Sequence, residues 1–259
     1  MGILSIVFLH TAALNVNVVI FSQLDLVWES LVSIFNETSI NLLLLSSLPL
    51  IKPQRLTKKE QEAFSLSTDL KEIFVGLLLG DLLGRFRYGK ARFVFKQGLI
   101  HEDYLRHLHE IFKDYCPSAP KITNSLPHYK TGKIYSSILF STYTLPCFNE
   151  LYNLFYISGK KVIPSIIGEL LTPMSLAYWI CDDGSWNKTC KYVVLCTDSF
   201  TLEEVECLIE VLNKKFNLKC YKCRQGISYR IIIPSYSIPV LQDLLAAHMP
   251  SMMRHKIGL

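Results

Sequence analysis

The chain has no G-x-x-x-x-G-K-[ST] loop, no G-x-S-x-G elbow and no H-E-x-x-H pair. Phosphate-loop NTP hydrolysis, serine-elbow nucleophilic catalysis and zinc-helix proteolysis therefore have no carrier in it. Zinc is poorly provided for in general. Of eight cysteines only Cys220 and Cys223 stand at C-x2-C spacing, whereas a structural zinc needs a fuller ligand set. The scattered cysteines fit reduced thiols in a reducing compartment. Residues 1–51 contain no Lys or Arg, which removes both the basic start of a secretory signal and the arginines of a mitochondrial transit peptide.

What residues 1–51 do contain is apolar. Met1 to Gln23 carries no formal charge, although His10, Thr11, Asn15 and Asn17 interrupt it, and Asn41 to Ile51 is apolar again. The length permits a membrane span. All 27 Lys and Arg, with 19 of the 22 acids, fall in residues 52–259, giving that stretch a net charge of +8. Such an excess suits a polyanionic partner. The basic segment Lys52 to Gln61 marks a boundary. The expected organisation is a leader over 1–51, a first half over 52–156, a connector over 157–168 and a second half over 169–259.

Two runs organise the rest. Phe74-Val-Gly-Leu-Leu-Leu-Gly-Asp81 and Leu176-Ala-Tyr-Trp-Ile-Cys-Asp-Asp183-Gly184 are each apolar nearly all round and end on an acid, as expected of short helices buried against a partner. Thr172-Pro173 predicts a capped start for the second, and Asp69 to Glu72 a capping box for the first. Gly76 and Gly80 lie four apart, on one helix face, where a second backbone can approach. A carboxylate at a helix C-terminus is disfavoured by roughly 0.3–1 kcal/mol, and two brought together repel. A divalent cation removes both objections, and hard oxygen donors favour Mg²⁺.

The two runs resemble the signature of the LAGLIDADG homing endonucleases, in the single-chain form with two copies. The likeness covers roughly Lys52 to Leu259. It implies an α+β fold of two pseudo-symmetric αββαββα halves packed through their signature helices, with antiparallel DNA-binding sheets. It also implies that Asp81 and Asp183 bind Mg²⁺ and catalyse cleavage, with the carbonyls of Leu82 and Gly184 beside the metal. Leu82 departs from the family's usual glycine. The resemblance puts Gln97 and Asp198 beside the attacking water or metal. The positions where the family carries a basic residue near each scissile phosphate fall on Tyr143 and Tyr236, which leaves that residue unassigned, and Lys96 or Lys191 could substitute. A leader such as 1–51, in an intron-encoded member, implies translation inside a mitochondrion or chloroplast as a continuation of an upstream exon.

Taken in order, the chain repeats itself. Alternation predicts strands over Ala91–Gln97 and Lys191–Thr197, amphipathic helices over Glu102–Tyr115 and Leu202–Phe216, hairpins over 121–143 and 218–234, and helices opened by Pro146 and Pro239. Ile138–Leu151 aligns without gaps to Ile231–Leu244 at an offset of 93, against 102 between the two acids. Candidate DNA contacts are the basic residues in or beside the strands. In the first half these are Arg85, Arg87, Arg92, Lys96, Lys130 and Lys133; in the second, Lys188, Lys191, Lys222, Arg224 and Arg230. The expected activity is Mg²⁺-dependent, site-specific double-strand cleavage of DNA by a monomer acting as a pseudo-dimer, promoting intron homing. An RNA-splicing maturase binding intron RNA on the same fold is the alternative, and a membrane-tethered protein dominated by residues 1–51 is a third reading.

Overall fold

A computed structural model of the chain describes residues 55–259, within a unit that begins at Pro53; the expectations for residues 1–51 lie outside the described residues. The first half begins with a short helix, α1 (Lys58–Ala63), where a basic linker is expected from the sequence. Thr57 and Glu60 cap it reciprocally. Then follow α2 (Thr68–Leu79), β1 (Leu83–Arg87), β2 (Lys90–Gly98), α3 (Glu102–Phe112), β3 (Lys121–Asn124), β4 (Ser136–Ser141) and α4 (Asn149–Phe155). A small hairpin, β5 (Tyr156–Ile157) with β6 (Lys160–Lys161), and the single turn α5 (Ile167–Leu170) occupy the connector.

The second half repeats the order: α6 (Pro173–Asp183), β7 (Gly184–Asn187), β8 (Tyr192–Leu195), α7 (Leu202–Phe216), β9 (Tyr221–Gln225), β10 (Ser228–Ile233) and α8 (Ile238–Leu245). A 3-10 segment, Ser251–Ile257, follows. Each half has one antiparallel four-stranded sheet of the same topology, β1-β2-β4-β3 and β7-β8-β10-β9. The expected two-half α+β architecture is therefore observed.

The two signature helices lie side by side because the glycines allow it. A methyl group at Gly76 would sit 2.1 Å from the Ser175 carbonyl oxygen, and one at Gly80 2.5 Å from Asp182 Cβ. Thr172 caps α6 as the sequence predicts, accepting from the Ser175 N–H at 3.2 Å. Its hydroxyl donates to Glu72 at 2.7 Å, tying the start of α6 to the middle of α2. The cap of α2 is Ser67 rather than a box at Asp69–Glu72, since Glu72 is taken by the neighbouring helix. Trp179 of α6 is fully buried.

Beneath the sheets the halves are packed differently. Phe74 of α2 meets Phe93, Phe112 and Phe148 with ring centroids 4.9, 4.5 and 5.5 Å away. The second core is chiefly aliphatic, with Val193, Leu195, Leu208, Leu212, Ile231 and Ile233 fully buried. Each such side chain contributes about 1.5–3 kcal/mol through burial. Helix α7 has the strongest caps: a Thr201–Glu204 box at its start and Asn217, in left-handed conformation, at its end. The gapless repeat read from the sequence departs from the sheet register. Val94 faces Ser141, whereas its counterpart Val194 faces Ile232, two residues out of step with the Pro146–Pro239 match. A shift of two keeps every side chain on its own face, so the pattern survives in sequence while the register does not.

Candidate active site

Both signature helices end at one place. Asp81 follows α2 directly after Gly80, and Asp183 is the last residue of α6. A third carboxylate, Asp182, lies between them. Its Oδ2 accepts from the Asp81 N–H at 3.1 Å and its Oδ1 from the Tyr104 hydroxyl at 3.1 Å. Gly80 holds the equivalent position in the first run, and its missing side chain provides the room that Asp182 fills. Burial, reinforced by the charges of Asp81 and Asp183, pushes the Asp182 carboxyl up to about 8. Burial and the Asp81 charge push Asp183 up to about 7, against the lowering influence of Lys161 and Lys256.

Those two lysines are the residues that the sequence reading misses. Lys161 Nζ donates to the Gly80 carbonyl at 2.7 Å. Lys256 Nζ donates to the carbonyls of Cys181 and Asp182, the latter at 3.1 Å. Each thus contacts the backbone just before its own half's acid, and burial holds the ammonium of each below the usual lysine range. Lys161 stands on β6 and Lys256 in the terminal 3-10 segment, both elements without a periodic signature. The only available signal is that each lysine stands in a tail that follows the last helix of its half.

The other expected residues are placed as follows. Gln97 Nε2 donates to Asp81 Oδ2 at 3.2 Å, and Lys96 and Gln97 border the same small hollow as Asp81 and Asp182. Asp198 is held by Arg230, whose Nε and Nη2 reach it at 3.0 and 2.7 Å, and its charge contributes to raising Asp183. Lys191 lies in the β7–β8 loop at positive φ. The Leu82 carbonyl faces the Tyr156 hydroxyl at 3.5 Å, and Gly184 pairs with Leu195 in the sheet. At the site, lysine ammoniums meet the carbonyls of Gly80, Cys181 and Asp182.

Among the basic strand residues, Arg85, Arg87 and Arg92 are on β1 and β2 and outside every ion pair among the described residues. Lys130 and Lys133 are on the exposed loop between β3 and β4, which is longer than the hairpin read from sequence, and Lys188 is in the β7–β8 loop. Lys222 of β9 pairs with Glu206, and Arg224 donates to the Gly226 carbonyl. All eight cysteines are unpaired. Among the described residues no three His, Cys, Asp or Glu side chains gather into a metal cage, and no helix is long and apolar enough to cross a membrane.

The raised carboxyls yield a pH prediction. A carboxyl pushed up by folding stabilises the protein fully below its unfolded value near ~4 and loses that contribution as pH climbs through its folded value. In EDTA the protein should therefore melt at lower temperature as pH rises from 5 to 8.5, through the values of about 7 and about 8 for Asp183 and Asp182. Asp182→Asn keeps an acceptor for the Asp81 N–H and should flatten most of that decline. An Asp182→Asn protein with the parent's pH slope would show that this carboxyl is not the buried acid described above.

Comparisons with known proteins agree with this geometry. The profile of the LAGLIDADG DNA endonuclease family matches residues 71–241. The cytochrome b mRNA maturase bI2 of Debaryomyces hansenii is 36% identical over 200 residues, covering 74% of this chain and 75% of that protein. The DNA endonuclease I-ChuI of Chlamydomonas applanata is 28% identical over 212 residues, covering 75% and 96%. The structure of the homing endonuclease I-WcaI bound to its DNA recognition sequence superposes with a TM-score of 0.74 at 27% identity, covering 81% of this chain and 96% of that one. The profile spans both signature helices and both sheets, and the chain belongs to the LAGLIDADG DNA endonuclease family.

Proposed function

We propose that the chain is a site-specific DNA endonuclease that hydrolyses one phosphodiester bond in each strand of a duplex with Mg²⁺ and thereby promotes homing of the intron that encodes it. The observation that carries this reading is the convergence of Asp81 and Asp183 at the shared end of two adjacent helices, each with a lysine of its own half alongside. The donor set fits a hard cation. It consists of carboxylate and carbonyl oxygens, and burial, reinforced by the neighbouring carboxylates, pushes Asp182 and Asp183 up, a shift that a bound cation would oppose. Mg²⁺ binds through one or two carboxylates and keeps waters and substrate phosphates for its other positions, which suits the pair Asp81 and Asp183.

Asp81 and Asp183 would hold the cation, which supplies charge neutralisation at the attacking and leaving oxygens. Asp182 acts through its bonds: it fixes the Asp81 backbone and is itself fixed by Tyr104. Gln97 is placed to orient a water beside Asp81 without acting as a base. Lys161 and Lys256 bring positive charge to each centre and hold the carbonyls before the acids in place. The similarity to I-WcaI supports a duplex DNA target lying along the two sheets.

The 36% identity to a cytochrome b mRNA maturase favours a second activity, splicing of the host intron RNA on the same fold. That reading also supports an organellar site of synthesis, mitochondrial or chloroplast, and a monomer working as a pseudo-dimer. The test is incubation of the purified full chain with Mg²⁺ and the intronless form of its host gene, followed by end mapping. Two staggered cuts at one position are expected; an intact duplex in Mg²⁺ would overturn the endonuclease reading and leave the maturase.

A further inference from the structure

The two acids are seated in different ways. Asp183 is the last residue of α6, and its carbonyl accepts from the Cys196 N–H at 3.0 Å, so sheet pairing begins where the helix ends. Asp81 has neither support. Helix α2 ends at Leu79 and β1 begins at Leu83, which leaves Gly80, Asp81 and Leu82 outside both elements. Such a stretch keeps one course only where other groups bind its backbone. Ahead of the acid those groups are Lys161 on the Gly80 carbonyl and Asp182 on the Asp81 N–H.

Behind the acid the holder is Tyr156. Its hydroxyl accepts from the Gly84 N–H at 2.8 Å and faces the Leu82 carbonyl at 3.5 Å. Phe93, opposite Gly84, gives its own N–H and C=O to Thr142, so the Gly84 N–H points to the free edge of β1. Gly84 also makes the room, since a methyl group there would sit 2.7 Å from the Tyr156 ring. The ring stacks on Tyr152 at 4.7 Å and Tyr152 on Phe86 of β1 at 5.1 Å, a stack that leans on the strand it holds. The β5–β6 hairpin sets Tyr156 directly opposite Lys161, so both side chains leave one face. Its turn, Ser158-Gly159, has positive φ at both residues, the I′ geometry of a two-residue hairpin. One hairpin thus delivers a hydroxyl and an ammonium to the backbone on either side of Asp81.

The second half has no such tyrosine. At the offset of 93, Met249 takes the place of Tyr156, and its N–H bonds to the Leu245 carbonyl at 2.9 Å as that of Tyr156 bonds to Tyr152. The Met249 sulfur meets the Cys181 thiol at 3.9 Å. Counted from the acids, Trp186 stands where the first half has Gly84. We propose that Tyr156 is a positioning residue for the Asp81 centre alone: its hydroxyl fixes the irregular chain behind that acid, while helix and sheet hold Asp183. Its role rests on the endonuclease reading for what Asp81 does once placed. The cut made at the Asp81 centre therefore depends on the connector hairpin, and the other cut does not.

Tyr156→Phe keeps the ring and its stack and removes only the hydroxyl. Amide exchange of the full chain is read residue by residue by NMR in EDTA, where nothing is cut. The Gly84 and Asp81 amides should exchange about 10-fold faster than in the parent, as for a locally loosened segment, with the Cys196 amide, which binds the Asp183 carbonyl, unchanged. A tyrosine that merely covers the strand edge would speed Gly84 alone; that result, or an equal rise at Cys196, overturns the positioning role. On a supercoiled plasmid bearing the mapped target, in Mg²⁺, one strand should be cut about 10-fold more slowly and the other at the parent's rate, because slight misplacement of a reacting group costs that much or more. Nicked circles then accumulate, whereas equal slowing of both strands overturns the role as well. Tyr152→Phe, which takes a hydroxyl from the same stack without touching Gly84 or Leu82, should match the parent in both measurements. The parent itself supplies a check that needs no variant: a Gly84 amide exchanging as fast as an open strand edge overturns the clamp even where Tyr156→Phe does not fold. Exchange as expected with no cutting by the parent would sink the endonuclease reading and leave the clamp on the Asp81 backbone.

Discussion

Asp81→Asn and Asp183→Asn each reduce double-strand cleavage by about 100- to 1000-fold, the range lost when one preorganised charge is taken from a reacting centre, and each leaves duplex affinity nearly unchanged. On the proposed docking, binding energy would reside mainly in phosphate contacts along the sheets, whereas these two side chains stand at the helix ends, where one carboxylate raises its neighbours. The asparagine also removes charge from a crowded site. Burial and Asp81 together push Asp183 up to about 7, so without metal the Asp81→Asn protein should melt no lower than the parent. Rates in Mg²⁺ and gel-shift affinities in Ca²⁺, on one mapped target, are the measurements. Undiminished cutting of both strands by both variants would withdraw the catalytic assignment from the pair.

Gly76→Ala costs about 3 kcal/mol or more, although alanine is the better helix former by roughly 1 kcal/mol. The added methyl meets Ser175 at 2.1 Å from the carbonyl oxygen and 2.9 Å from the carbonyl carbon, all backbone, so the helices must part or the chain must bend. For a domain of this size that is about 6–12 °C of melting temperature. Gly80→Ala meets the Asp182 Cβ at 2.5 Å, which side-chain rotation cannot move, and the carboxylate Oδ2 at 2.7 Å. It should cost stability as well and activity in addition, because displacing Asp182 breaks its bond to the Asp81 N–H. Thermal melts and cleavage rates of the two variants check this; a Gly76→Ala protein that melts with the parent would mean that this face of α2 does not touch α6.

The legible parts of the structure are those where a residue type has one physical use. Two apolar runs closing on acids, a Thr-Pro start and glycines four apart predict paired helices, and the paired helices are there. The boundaries of α7 match the sequence reading because its capping box, apolar stripe and left-handed Asn all agree. The strands β1 and β7 were not legible: Leu83–Arg87 and Gly184–Asn187 are short edge strands close behind a helix and lack alternation. Asp182 passes in sequence for one of two adjacent acids, since only the interface reveals that one of them points back into Gly80. The paired lysines escape altogether, because each reaches the site from a tail whose course depends on how the preceding helix docks.

The seat of Asp182 against Gly80 makes the two halves unequal partners. Each signature run ends on its own acid with a lysine beside it, and each half has its own sheet. Two copies of the second half would set one Asp182 against another where here a glycine makes room, burying two carboxylates with the Asp81 N–H available to neither. The second half is therefore fitted to the first and not to a copy of itself.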